Sequence, residues 1–280
     1  LLEIARHTSK AQIGVAAVNP FTCHPINIAG NMALIDEASS GRAYLGLSRG
    51  GWLDYVGVYP TRAIQSLQEA IICIRHLLSG DPAALEQEIF PLAGGDSLRW
   101  NIQRPDLPLL LGSWGLKTIA ACYSQVDEIK LGGSANPAVV PHYRQHLRDM
   151  GATDDVGIVM GAVTVVDEDG AAARDLARRE VALYLPIVAE LDPTFAIDPE
   201  LLAGIKAAAA DYDYEAACRF ISDDMLAAFV LAGTPNDIIG QTEALFAAGA
   251  NRVEFGTPHG LTAESGLRLL SDKVLPAFQS

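Results

Sequence analysis

Cysteine is scarce: Cys23, Cys73, Cys122 and Cys218 are the only four in 280 residues. No pair has the spacing of a metal site or a redox motif. That excludes a disulfide scaffold or a zinc ribbon and predicts reduced thiols in a cytoplasmic protein. Basic residues are also few. Twenty Lys and Arg against 34 Asp and Glu leave a net charge of −14. So acidic a chain is repelled by phosphate backbones, which excludes nucleic acid and points to a small-molecule substrate. No apolar run is long enough to span a bilayer, so no membrane partner is expected. The opening LLEIARHTSK has neither a basic n-region nor a cleavage-like site, and no secretory leader is expected. There is no internal repeat, low-complexity segment, nucleophile elbow, P-loop or kinase signature. His142 and His146 stand at i, i+4 but lack the intervening Glu of H-E-x-x-H. They read as a solvated helix face, and no metal is expected.

What the chain has is apolar material. Half of it is hydrophobic and 19% is charged, enough for a large buried core. Its length suits one large barrel domain or two small ones.

Short apolar strands alternate with amphipathic helices. Strands are predicted over 11–18, 43–47, 107–111, 128–131, 156–166 and 252–255. Helices are predicted over 26–39, 61–78, 116–124 and 137–150, with a final one ending near Phe278. In the second helix Ile64, Leu67, Ile71, Ile74 and Leu78 form one stripe, a face for the core or for a second copy. Asp36-Glu37 reads as an outward, surface turn. The segment 81–105 is an irregular excursion of functional length. Residues 170–232 read as a helical insertion broken at Pro186, Pro193 and Pro199. Ser222 opens a helix at Asp223-Asp224, and Thr234, Pro235 and Asp237 make an N-cap, an N1 proline and an early acid. Alternating strands and helices mean a parallel α/β sheet. About six strands are fewer than a closed barrel needs, while a doubly wound open sheet tolerates six.

Three loops after strands carry the functional signal. The first is Val15-Ala16-Ala17-Val18-Asn19-Pro20, small residues before a Pro turn. The second is Leu47-Ser48-Arg49-Gly50-Gly51, where Arg49 can meet a phosphate or a substrate carboxylate or form a surface salt bridge. The third is Gly112-Ser113-Trp114-Gly115 before a helix. Its backbone N–H groups suit an anion, with Lys117 one turn on, although Ser113 can also serve as a simple cap. His24 and His259 are the histidines placed for substrate contact, each with a turn-shaping alternative.

The stretch IGVAAVNPFTCHPINIAGNMALIDEASSGRAYLGLSRGG, with GSWG after LPLLL, resembles the bacterial luciferase-like superfamily of (β/α)₈ barrels. Within it the chain most resembles the deazaflavin-dependent methylenetetrahydromethanopterin reductases. The resemblance implies an oxidoreductase that uses coenzyme F420, or alternatively FMN, and forms a homo-oligomer. It implies a bulge with a non-proline cis peptide at Ala16–Ala17 behind the cofactor ring, Ser48, Arg49 and Gly50 beside it, and phosphate at Gly112 to Gly115. Ser48 and Arg49 depart from the family's glycine-rich loop. It also implies a single barrel domain in which the family's first β-α-β unit, with its acidic groups, is absent. The chain accordingly opens on Leu1 rather than on an initiator methionine. No catalytic acid or base is therefore assigned. The rival readings are an FMN-dependent monooxygenase and a noncatalytic, degenerate flavin-binding barrel.

Overall fold

The structure, a computed structural model, describes residues 1–95 and 97–279. Asp96, inside the excursion 81–105, lies outside the described residues. Two compact units are present, Leu1–Ile129 and Lys130–Ser280.

In the first unit a short α1 (Leu2–His7) precedes β1 (Ile13–Val18), α2 (Pro25–Ala38), β2 (Ala43–Ser48), α3 (Ala63–Ser79), β3 (Leu109–Gly112) and α4 (Leu116–Cys122). β1 pairs with β2 and β2 with β3, all parallel. Parallel strands need crossovers, and α2 and α3 supply them. Sequence explains both helices. α2 starts at His24, whose ring nitrogen accepts from the Ile26 N–H, with Pro25 in the first turn. α3 buries Leu67, Ala70, Ile71, Ile74, Leu77 and Leu78 at i, i+3, i+4 spacing and stops at Gly80, φ +71°. Ile64 departs from the expected stripe. It sits at the first turn and is 39% exposed, so the buried face begins at Ser66 and Leu67.

Asp36 also departs from expectation. It is 1% exposed, not on the surface. Its carboxylate accepts from the Ala43 N–H and pairs with Arg104, while Arg104 donates to the Ala43 carbonyl. A buried charge persists when it is paired and hydrogen-bonded, and this pair fixes both backbone groups at the start of β2.

The chain continues through β4 (Glu128–Gly132). The second unit then holds α5 (Val139–Asp149), β5 (Gly157–Val166), α6 (Gly170–Val181), α7 (Leu185–Leu191), α8 (Pro199–Ala210), α9 (Tyr214–Ala217) and α10 (Asp223–Phe229). After these come β6 (Val230–Gly233), α11 (Pro235–Ala247), β7 (Arg252–His259) and α12 (Ala263–Leu269). β5 pairs in parallel with both β6 and β7. Nearly every residue of β5 is buried, as a strand covered on both faces requires.

β6 corrects the expectation that the helical run continues to Ala232. It ends at Phe229, and Val230 to Gly233 form a strand, giving seven strands among the described residues where six were counted. The apolar run AFVLAG is too short for periodicity to separate a strand from a buried helix. Pro186 and Pro199 open α7 and α8, and α11 begins with a full capping box between Thr234 and Asp237.

Candidate active site

In parallel α/β proteins of this kind, binding groups gather where strands end and loops begin. Strand register in the first unit brings three such ends together. Val18 lies opposite Leu47, and Ser48 opposite Gly112. The β1–β2 ladder slips between Val15 and Val18, a bulge, and the Ala16–Ala17 peptide within it is cis, as the resemblance implies. The bulge has a bed. A Cβ on Gly46 would come within 2.6 Å of the Val15 carbonyl oxygen and 2.8 Å of the Ala16 Cα. Only glycine fits under that backbone. Gly46 was missed among the site residues, although a glycine within an apolar strand is the sequence signal for such an approach.

Asn19 braces the first loop. Its side-chain oxygen accepts from the Phe21 and Thr22 N–H groups at 3.0 and 2.9 Å. The same side chain flanks Gly50, where an added Cβ would lie 3.1 Å from its Nδ2. Gly50 is left-handed, φ +84°, and donates to the Ser48 hydroxyl at 3.2 Å. Arg49 between them is exposed and has no hydrogen-bond or ion-pair partner among the described residues. Gly112 meets Ser48, with 3.3 Å from a built Cβ to the Ser48 Cβ. The third loop is more constrained than its sequence implies. The Gly115 N–H is already donated to the Ser113 hydroxyl at 3.1 Å, and Gly115 is the N-cap of α4. No side chain caps that helix. Trp114 is half-buried, and Lys117 is exposed without a partner among the described residues.

Ala16, Ala17, Ser48, Arg49, Gly50 and Gly112 to Gly115 therefore occupy neighbouring strand ends in one unit. His24 instead caps α2 through Nδ1 at 3.2 Å and meets Phe90 edge-on at 5.3 Å between ring centres.

The second unit has its own strand-end features. Gly133, φ +85°, and Ser134 both donate to the Gly161 carbonyl. Asn136 donates to Asp192 at 2.9 Å and to Thr194 at 3.0 Å, and Asp192 is 3% exposed. Lys130 and Glu254 form a partly buried ion pair over Gly161, and Arg252 lies 3.2 Å from the second Glu254 oxygen. These charges were also missed, because the partners stand 124 residues apart. Past the cis Thr257–Pro258 bond, His259 is left-handed, φ +80°, and its Nε2 lies 3.2 Å from the Phe255 carbonyl oxygen. It lines a cavity of about 630 Å³ with Glu254, Phe255, Leu267, Leu270 and Leu275.

His142 and His146 are half-buried, not fully solvated, with Nε2 atoms 3.2 Å apart. Among the described residues all four cysteines are free thiols. Burial pushes Cys73 and Cys122 up to about 11. No helix among the described residues is long and apolar enough to cross a membrane.

Parallel α/β units, a bulged strand on a glycine bed and small-residue strand ends define the class. The chain belongs to the luciferase-like monooxygenase family, whose sequence pattern it matches over residues 2–252. Its fold is the luciferase-like (β/α)₈ type. Within that class the similarity is more particular. The 5,10-methylenetetrahydromethanopterin reductase of Methanopyrus kandleri is 27% identical, over 97% of this chain and 84% of that protein. The solved coenzyme F420 dependent tetrahydromethanopterin reductase from the same organism matches with a TM-score of 0.86 at 25% identity, over 99% of this chain and 86% of that one. The oxygenase component of the flavin-dependent trigonelline monooxygenase of Acinetobacter baylyi is 23% identical, over 99% of this chain and 79% of that protein.

Proposed function

We propose that the protein is an oxidoreductase that moves a hydride between coenzyme F420 and a small organic substrate, with a methylene-pterin as the substrate class. The observation that carries this is the grouped strand ends of β1, β2 and β3. There, small residues and a bulge make a bed for a flat ring, with Arg49 in the loop after β2 and Lys117 in the first turn of α4, both exposed and without a side-chain partner among the described residues. The residues fit the group: apart from Arg49 and Trp114, nothing larger than serine stands at the proposed contact positions. Likeness to the F420-dependent reductase of Methanopyrus kandleri supports the same reading.

In this assignment Ala16 and Ala17 press main chain against one ring face. Ser48 and Gly50 shape its edge, Arg49 meets an anionic group, and Gly112 to Gly115 with the uncapped start of α4 receive phosphate. When bound, the reduced deazaflavin supplies the hydride. The chain's own work is to hold one ring face and leave the other for substrate. We place the protein in the cytoplasm, acting as a homo-oligomer.

FMN is the alternative cofactor, favoured by likeness to the trigonelline monooxygenase. Fluorescence titration with each cofactor tests the choice. Binding of F420, with oxidation of the reduced form by a methylene-pterin, is expected. Binding of FMN alone, with oxygen consumption, would overturn it in favour of a monooxygenase. Binding of neither would support a noncatalytic barrel.

A further inference from the structure

The segment that follows β2 is built to hold rings out in solvent. Trp52 and Gly57 are left-handed, φ +50° and +73°. Between them the backbone closes on itself: Tyr55 donates to Trp52, Gly57 to Asp54, and Val58 to Leu53 at 2.9 Å. Leu53, 8% exposed, anchors the loop inward. Tyr55, Val56 and Tyr59 are 69%, 66% and 72% exposed. An ordered loop that leaves three large apolar side chains in water marks a contact surface. Tyrosine suits one, since it offers a broad flat face for little conformational entropy. The loop leaves the strand end that carries Ser48 and Arg49, on the side of the fold where ligands bind. The Asp54 carboxylate in the same turn is exposed and has no hydrogen-bond or ion-pair partner among the described residues. An exposed carboxylate in the same short turn as exposed tyrosines suits a flat heterocycle with N–H donors along its edge.

We infer that the loop Trp52 to Tyr59 is the specificity element for substrate. Tyr55 and Tyr59 stack on a planar nitrogen heterocycle, and Asp54 accepts from its N–H edge. This rests on the oxidoreductase reading of the adjoining strand ends.

The test uses the full chain and two probes, F420 and 5-formyltetrahydrofolate, a soluble reduced pterin. Affinity for each is measured by calorimetry in wild type, Tyr55→Ser/Tyr59→Ser and Asp54→Asn. Losing two stacked rings should weaken the pterin about tenfold or more. Asp54→Asn should weaken it by a smaller factor. F420 affinity should stay within about twofold, and Tm should not move, because these side chains are solvated. Unchanged pterin affinity in the variants, or a wild type that binds F420 but no pterin, overturns the inference. So does a variant whose only change is a smaller species in gel filtration, which assigns the loop to contacts between copies of the chain. A wild type that binds neither F420 nor FMN sinks the reading of the strand ends, and this inference with it.

Discussion

Asp36 and Arg104, 68 residues apart in sequence, meet at 2.6 Å and together hold both backbone groups of Ala43. The pair joins the end of α2, the first residue of β2 and the far end of the excursion 81–105. Removing the cation alone leaves a buried carboxylate with one N–H donor. Arg104→Ala should therefore cost about 3 kcal/mol, the lower end for breaking a buried pair, because Arg104 keeps part of its side chain in solvent. Urea denaturation measures it. A loss under about 1 kcal/mol would mean that water replaces the guanidinium.

Gly46→Ala should disturb the bulge directly, since its Cβ meets backbone rather than a movable side chain. F420 affinity should fall more than about tenfold, because an ångström of displacement at a binding edge is costly. Gly51→Ala is the control, as an added Cβ there meets nothing within 4 Å. Equal affinity in the two variants would show that the bed does not position the cofactor.

Arg49→Gln and Lys117→Gln should each weaken F420 and flatten the dependence of its affinity on salt, because each removes an exposed cation facing an anionic ligand. Binding measured across a range of ionic strength separates this from a packing effect. An unaltered slope would place both cations outside the site.

Glu69 predicts an acid sensitivity. Burial raises its pKa, but N–H donation from Ile89, Gln65, Phe90 and Glu88 outweighs that and holds it below the usual 4.5. A depressed folded pKa contributes stability that is present above the unfolded value and lost as pH falls through the folded one. The wild type should thus lose stability below about pH 4.5 more steeply than Glu69→Gln, which lacks the titrating group. Parallel stability curves for the two from pH 6 to about pH 3 would contradict this.

Local chemistry made the strand ends legible. Small residues before Asn19-Pro20 and glycines flanking Ser48 and Gly112 announce close backbone approach. The helix-capping signals at Ser222 and Thr234 are equally local and stand where expected. Asp36 was not legible. Beside Glu37 at a helix end it has the look of solvated charge, and only a residue 68 positions on reveals its burial. Lys130 and Glu254 escaped for the same reason. β6 escaped because four apolar residues after a helix carry no period of their own. What sequence withholds is long-range partnership, which elements acquire only when they pack.

β5 has a consequence for the chain before it folds. Ten residues, Gly157 to Val166, carry no charge and no proline, and covering on both faces leaves only Val163 partly open to a polar change. Such a run is the stretch most prone to stack with its own kind when exposed on the ribosome or at heat. Asp154-Asp155 stand just before it and Asp167-Glu168-Asp169 just after. Five carboxylates bracketing the stickiest strand act as gatekeepers through mutual repulsion. Asp→Asn and Glu→Gln exchanges keep the acceptors that Asp167 and Asp169 offer at the start of α6 and lose only the exposed Arg148–Asp154 and Lys273–Glu168 pairs, and they should raise the insoluble fraction on expression.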